Sequence, residues 1–225
     1  MRMRKNQKII AIIIAGLVSL SMIVPSFALL FSDSSNSNAV YSNNGNTSTI
    51  QGLQNQVSAL TQALSANPQD TTARLNLANT YYDLAMANLN GNGPEQAGSI
   101  FKQAIAEYQE VVKTQKDVNI LVDMATAAFY AGEDDLADKT FREALAVQSN
   151  YLNALVNYGV FLLDAKNDYL GAIAQWDTAL SMANPTAEEQ ERLKGFIGMA
   201  QERMQASFEQ SGSINNTTTQ PAEAK

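Results

Sequence analysis

The sequence predicts an all-α fold of antiparallel helix pairs stacked into an α-solenoid, carried behind one N-terminal apolar segment. Three observations predict it. Large and small apolar residues alternate at helical spacing, and the pattern recurs after about one helix pair: Ala137 and Ala172 hold equivalent places 35 residues apart. A long apolar run without a charge stands near the start. The chain contains no His and no Cys, which removes the commonest general base, the thiolate nucleophile and the main ligands of zinc.

The first element is that apolar run. MRMRKNQK precedes Ile9 to Phe31, 23 uncharged residues that as a helix would span roughly 34 Å, enough for a bilayer core of about 30 Å. Residues 1–31 hold Arg2, Arg4, Lys5 and Lys8 and no acid. Basic flanks stay in the cytoplasm, so the expected location is a bacterial cytoplasmic membrane crossed once, with everything after Phe31 outside the cytoplasm. The alternative is secretion after cleavage near Ala28, because Ser26 and Ala28 follow Pro25 in a small-x-small pattern. The uncleaved anchor is preferred, since a cut there leaves Leu29, Leu30 and Phe31 exposed. Residues 32–49 are Ser, Asn, Thr and Gly with almost nothing to bury, and read as a flexible linker. The tail 209–225 reads in the same way.

Between them, residues 50–208 carry the helical pattern. Ile50, Leu53, Val57, Leu60 and Leu64 repeat by three and four, a single amphipathic helix expected to pack on the next pair. In the unit 71–116, Leu77, Ala78 and Tyr81 mark the first helix and Ala104, Tyr108 and Val111 the second. The first helix is expected to run to about Asn90, with a loop GNGPEQ and a second helix opening at Pro94, where a missing N–H costs nothing. In the unit 117–150, Leu121, Met124, Ala125 and Ala128 are followed by Ala137, Phe141 and Ala144. In the unit 151–185, Leu155, Tyr158, Gly159 and Leu162 are followed, after one extra residue, by Ala172, Trp176 and Ala179. Where antiparallel helices cross closely only Ala or Gly fits, and bulky neighbours fill the flanking holes. Thr186-Ala-Glu-Glu189 is a capping-box pattern opening a last helix, 186–208, with Leu193, Phe196, Ile197, Ala200 and Met204 inward and Arg203 among the water-facing residues.

This spacing resembles the tetratricopeptide repeat (TPR), W-x2-L-G-x2-Y followed by A-x3-F and A. Leu121, Met124, Ala125 and Ala128 stand at the W, L, G and Y positions; Ala137, Phe141 and Ala144 stand at A, F and A. The unit 71–116 departs from the pattern by an insertion of 14 residues across 85–103. The resemblance implies a right-handed solenoid of about eight helices whose first helices line a concave groove. It also implies that peptides bind there. The matched positions are Leu75, Asn76, Asn79, Tyr82 and Asp83; Val122, Asp123, Thr126, Phe129 and Tyr130; and Asn153, Val156, Asn157, Val160, Leu163 and Asp164. Some TPR proteins clamp a terminal carboxylate with Lys and Arg in these rows. Here only Asn79 matches, and Asp123 and Asp164 would repel an acid.

Other chemistry is poorly served. GNGPEQAG lacks the order and the Lys-Ser/Thr of a phosphate loop. GEDDLAD lacks the ligand spacing of a calcium loop. After residue 31 the chain holds 11 basic against 22 acidic residues, a balance that disfavours nucleic acid. No catalytic residue, cofactor or metal is expected. The expected function is a membrane-tethered scaffold or adaptor for protein–protein interaction in an envelope complex. The third unit, ending in YLGAIAQWDTAL, is also similar to TPR modules of c-type cytochrome maturation proteins, which implies the alternative of a factor binding apocytochrome segments.

Overall fold

The computed structural model describes residues 46–91 and 94–217. The predicted membrane segment and most of the linker lie outside the described residues. Among those described, no helix is long and apolar enough to cross a membrane. The described residues form eight α-helices and one π turn: α1 Asn46–Ala66, α2 Thr71–Gly91, α3 Pro94–Val112, α4 Val118–Tyr130, α5 Asp134–Val147, α6 Leu152–Phe161, the turn Leu162–Lys166, α7 Tyr169–Met182 and α8 Ala187–Thr217. They divide into two compact units, the first ending at Gln148 and the second beginning at Ser149.

In the first unit α1 packs on α2, α2 on α3, α3 on α4 and α4 on α5. α1 begins at Asn46, four residues inside the stretch read as linker, because a helix once nucleated extends over flanking Ser and Thr at small cost. Leu53, Val57 and Leu60 are half-buried and Leu64 is buried, so the three–four stripe seats α1 on its neighbour. The described part of the 14-residue insertion is helix. α2, ending at Gly91, and α3, starting at Pro94, run 21 and 19 residues, against 13 and 14 for α4 and α5. Fourteen residues are about two turns added to each partner.

Each crossing follows one rule. Ala97, Ala104, Ala137 and Ala144 have no exposed surface, nor do Ala78, Ala125 and Ala128 opposite them. Phe101 and Phe141 fill the flanking holes and are equally buried. Ion pairs run between helices at the surface: Arg74–Glu107 at 2.7 Å, Lys102–Glu133 at 2.7 Å and Lys116–Glu143 at 3.7 Å. Exposed pairs contribute about 0–1 kcal/mol each, while truncating a buried aromatic costs about 3–5 kcal/mol. Packing therefore sets the register and the charges follow it.

In the second unit α6 and α8 both pack on α7. The extra residue between its paired helices is absorbed by the π turn. The Asn167 N–H bonds the Leu162 carbonyl, five residues back, and Asn167 closes the turn in the left-handed region at φ 54°. Such a wide turn takes up one inserted residue without shifting the next helix out of phase. Asp168 then caps α7 by accepting from the Gly171 N–H at 2.9 Å. The capping box forms reciprocally: the Thr186 N–H donates to Glu189 Oε2 at 2.7 Å and the Glu189 N–H to Thr186 Oγ1 at 3.3 Å. α8 continues to Thr217, past the boundary at 208 set by composition. Arg203, read as water-facing, reaches Asp164 at 2.6 Å.

Trp176 is the centre of this unit. It has no exposed surface, its ring lies 5.4 Å from that of Phe196, and its Nε1–H donates to the Val156 carbonyl at 3.2 Å. The indole can lie there only because residue 159 is Gly. A Cβ at that position would stand 2.9 Å from Cδ1 and nearer still to Nε1. Gly159→Ala should therefore destabilise by about 1–3 kcal/mol, as overpacking does, and Trp176→Ala by about 3–5 kcal/mol through the cavity it leaves. Urea unfolding followed by circular dichroism measures both. A loss under about 1 kcal/mol for Trp176→Ala would contradict its buried placement.

Candidate peptide-binding face

α2 and α4 carry the face on which the first unit's unmatched polar groups collect. Asp70 fixes the start of α2 by accepting from the Ala73 N–H at 2.9 Å, and Asp117 fixes the start of α4 by accepting from the Asn119 N–H at 2.8 Å. α4 ends at a turn in which Gly132 adopts φ 74° and the Glu133 N–H bonds the Ala128 carbonyl at 2.9 Å. A Cβ is disfavoured at that φ, so glycine sets where the face stops.

Four aromatic rings cross this face in sequence. Tyr82 meets Phe101 edge-on at 5.5 Å, Phe101 stacks on Tyr130 at 5.3 Å, and Tyr130 stacks on Phe129 at 5.2 Å. α3 supplies the backing, with Phe101 and Tyr108 both buried. The Tyr108 hydroxyl donates to Asn79 Oδ1 at 2.8 Å. Asp83 and Asp123 lie beside these rings. Asp83 keeps its outer edge in water, yet its carboxyl is desolvated by the surrounding protein and its pKa is raised to about 6. Asp123 is raised to about 7, first by desolvation and then by the charges of Asp83 and Asp117. Burial, with lesser help from neighbouring acids and phenols, lifts the Tyr82 and Tyr108 hydroxyls well above the usual phenol range.

The sixteen residues expected to line a groove divide accordingly. On α2, Asn76, Asn79 and Asp83 are exposed, while Leu75 and Tyr82 are half-buried. On α4, Asp123, Phe129 and Tyr130 are half-buried, but Val122 and Thr126 lie in the core. In the second unit Asn153, Val160 and Asp164 are half-buried, and Val156, Asn157 and Leu163 are buried. Leu163 and Asp164 belong to the π turn, and Asp164 is engaged by Arg203. Val122, Thr126, Val156, Asn157 and Leu163 thus offer no open surface. The reason is that α4 and α6 pack on more than one side: nine of the 13 residues of α4 and seven of the 10 of α6 are buried. Tyr82 is half-buried, with its ring propped edge-on against Phe101. Phe101 and Tyr108 were legible only as a core stripe on α3; nothing in their spacing marks them as the floor beneath two carboxylates. The second unit also has an apolar depression beside Leu170 and Phe208, which are 68% and 70% exposed.

No protein-family model matches the chain, and no curated protein matches it. Solved structures do. One crystal structure of MamA superposes with a TM-score of 0.51 and 18% identity over 79% of this chain and 99% of that one. A second crystal structure of MamA gives 0.51 and 17% identity, over 81% of this chain and 93% of that one. A thermophilic TPR protein of Thermus thermophilus superposes at 0.45, with 18% identity over 69% of this chain and 98% of that one. The chain accordingly has a TPR-like all-α fold.

A carboxyl whose pKa is raised in the folded state binds its proton more tightly there than in the unfolded chain. Stability held at low pH is then lost as pH rises through the folded value, here about 6 for Asp83 and about 7 for Asp123. Asp123→Asn should therefore stabilise the protein, with the gain growing from about pH 4 to pH 8 by on the order of 2 kcal/mol after allowance for solvent screening. Urea melts across that range would show it, and a gain that shrank with rising pH would contradict the desolvated placement of Asp123.

Proposed function

We infer that this chain is a membrane-tethered, non-catalytic scaffold whose helical repeats work outside the cytoplasm and recruit other proteins through the first helices of their pairs. The observation that carries this reading is an asymmetry within the first unit. Among the described residues, the unit's basic side chains pair with acids of the same unit that lie away from Asp83 and Asp123. The α2–α4 face instead presents exposed Asn76, Asn79 and Asp83 beside half-buried Tyr82, Phe129 and Tyr130. Rigid aromatic groups rimmed by polar ones are the composition of protein-binding surfaces. The TPR-like fold supports the reading, since helix pairs of this kind offer a continuous face and no enclosed reaction chamber. The tether rests on the sequence: basic residues followed by Ile9 to Phe31 without a charge.

Two experiments test the two halves. Crosslinking in native membranes should capture a partner, and Tyr82→Ala with Phe129→Ala should reduce that capture by more than about tenfold, as truncated aromatic anchors do. Lys139→Ala with Arg142→Ala, on exposed positions of α5, should change it little. Full capture by the aromatic variant would move the binding surface elsewhere. Protease added to intact spheroplasts should digest the repeats while the basic terminus stays protected, and protected repeats would overturn the orientation. A mature N-terminus at Leu29 in that preparation would replace the anchor by secretion.

A further inference from the structure

The partner's chemistry can be read from the same face, and this inference rests on the scaffold reading. Asp83 on α2 and Asp123 on α4 stand close enough for the charge of one to act on the other. Tyr82 of α2 and Tyr108 of α3 stand beside them, and Tyr130 of α4 neighbours Tyr82 across Phe101. No hydrogen bond or ion pair within the described residues reaches either carboxyl. Among the described residues the unit's cations are paired elsewhere: Arg74, Lys102, Lys113, Lys116, Lys139 and Arg142 each bridge another acid. A folded protein ordinarily gives a desolvated carboxylate either donors or a counter-charge.

We propose that Asp83 and Asp123 together seat a lysine or arginine side chain from a partner protein, held against the rings of Tyr82 and Tyr130. Such a cation would supply both missing partners at once. It would also favour the ionised form of both carboxyls, so that the cost of holding Asp123 half-buried without a counter-charge is relieved on binding. The flat rings beside the pair suit a guanidinium or the stem of a lysine, which gain from aromatic faces. The excess of acid in the chain attracts the same class of partner at longer range. A divalent metal ion is the weaker occupant, because hard cations take six or more oxygens and this face brings two carboxylates and the amide of Asn79, already bonded to Tyr108.

The test uses the full chain in detergent and three fluorescent peptides of one length, alternating Leu with Arg, with citrulline or with Glu. At physiological salt the Arg peptide should bind at least about tenfold more tightly than the citrulline peptide. Asp83→Asn with Asp123→Asn should bring the two to the same affinity. That variant removes desolvated charges, so it should fold at least as well as the native protein. Glu188→Gln with Glu202→Gln, which removes two exposed charges from α8, should change Arg-peptide affinity by less than about twofold. An equal loss in that control would overturn the seat and leave only bulk attraction. Equal binding of Arg and citrulline peptides would overturn it too, as would calcium binding at the pair with no peptide preference. Crosslinked partner capture separates the seat from the scaffold reading. If the asparagine variant keeps the partner while Tyr82→Ala with Phe129→Ala loses it, the cation seat fails and the scaffold stands; if both keep it, both fail.

Discussion

The constraint on which the rest depends is the closeness of the helix crossings. Axes in contact at about 8–10 Å leave room for a methyl group and little else at the crossing point. Ala97, Ala104, Ala137, Ala144, Ala172 and Ala179 occupy those points with no exposed surface. Once an alanine is fixed at a crossing, the residue four further along is carried onto the same face. Phe101, Phe141 and Trp176 stand there, one per pair. At Gly159 the requirement becomes absolute, because the Trp176 ring takes the space of a Cβ.

Charge placement follows from this. A helix whose alanine stripe faces inward must turn its Lys, Arg and Glu outward, so α3, the connection after it and α5 carry the pairs of Lys102, Lys113, Lys116, Lys139 and Arg142. These exposed pairs contribute little to stability. What they do is consume the unit's cations. The acids of α2 and α4 are left opposite phenols rather than opposite lysines, and desolvation, which no cation offsets, raises their pKa values. A few kcal/mol of local destabilisation is tolerable where the surrounding crossings are so fully buried, and departures of this kind from a low-energy arrangement concentrate at functional surfaces.

How much of this was legible in the sequence depended on whether a short-range rule decides it. The two-helix spacing, the alanine stripes, Trp176 in the core, the capping box at Thr186 and Pro94 at a helix start all follow from local periodicity or from one residue's chemistry. The extra residue after Leu162 was visible as a count, but its absorption in a π turn was not, because the count does not say which turn widens. The reach of α1 and α8 was misjudged because Ser, Asn and Gln are weak helix residues whose state depends on the helix they extend. The candidate face failed in part for a different reason. One-sided burial was assumed for helices that pack on several sides, so Val122, Thr126, Val156, Asn157 and Leu163 were placed on a surface. Asp83 and Asp123 were legible as acids without a clamp partner, but not as neighbours: 40 residues separate them, and only α3, wedged behind both, makes them one site.

Two carboxylates in place of a basic clamp also change what the face refuses. Specificity is a difference of affinities, and a like charge on the face is one way to create it. An acidic tail approaching exposed Asp83 and half-buried Asp123 meets repulsion rather than a clamp. An uncharged apolar segment can use the rings of Phe129 and Tyr130 but leaves both carboxyls desolvated and without a donor. Only a segment that brings a cation together with apolar neighbours satisfies the acids and the aromatics at once. On the proposed function, the carboxylates therefore set which partner is accepted, and the aromatic run between Tyr82 and Phe129 holds it.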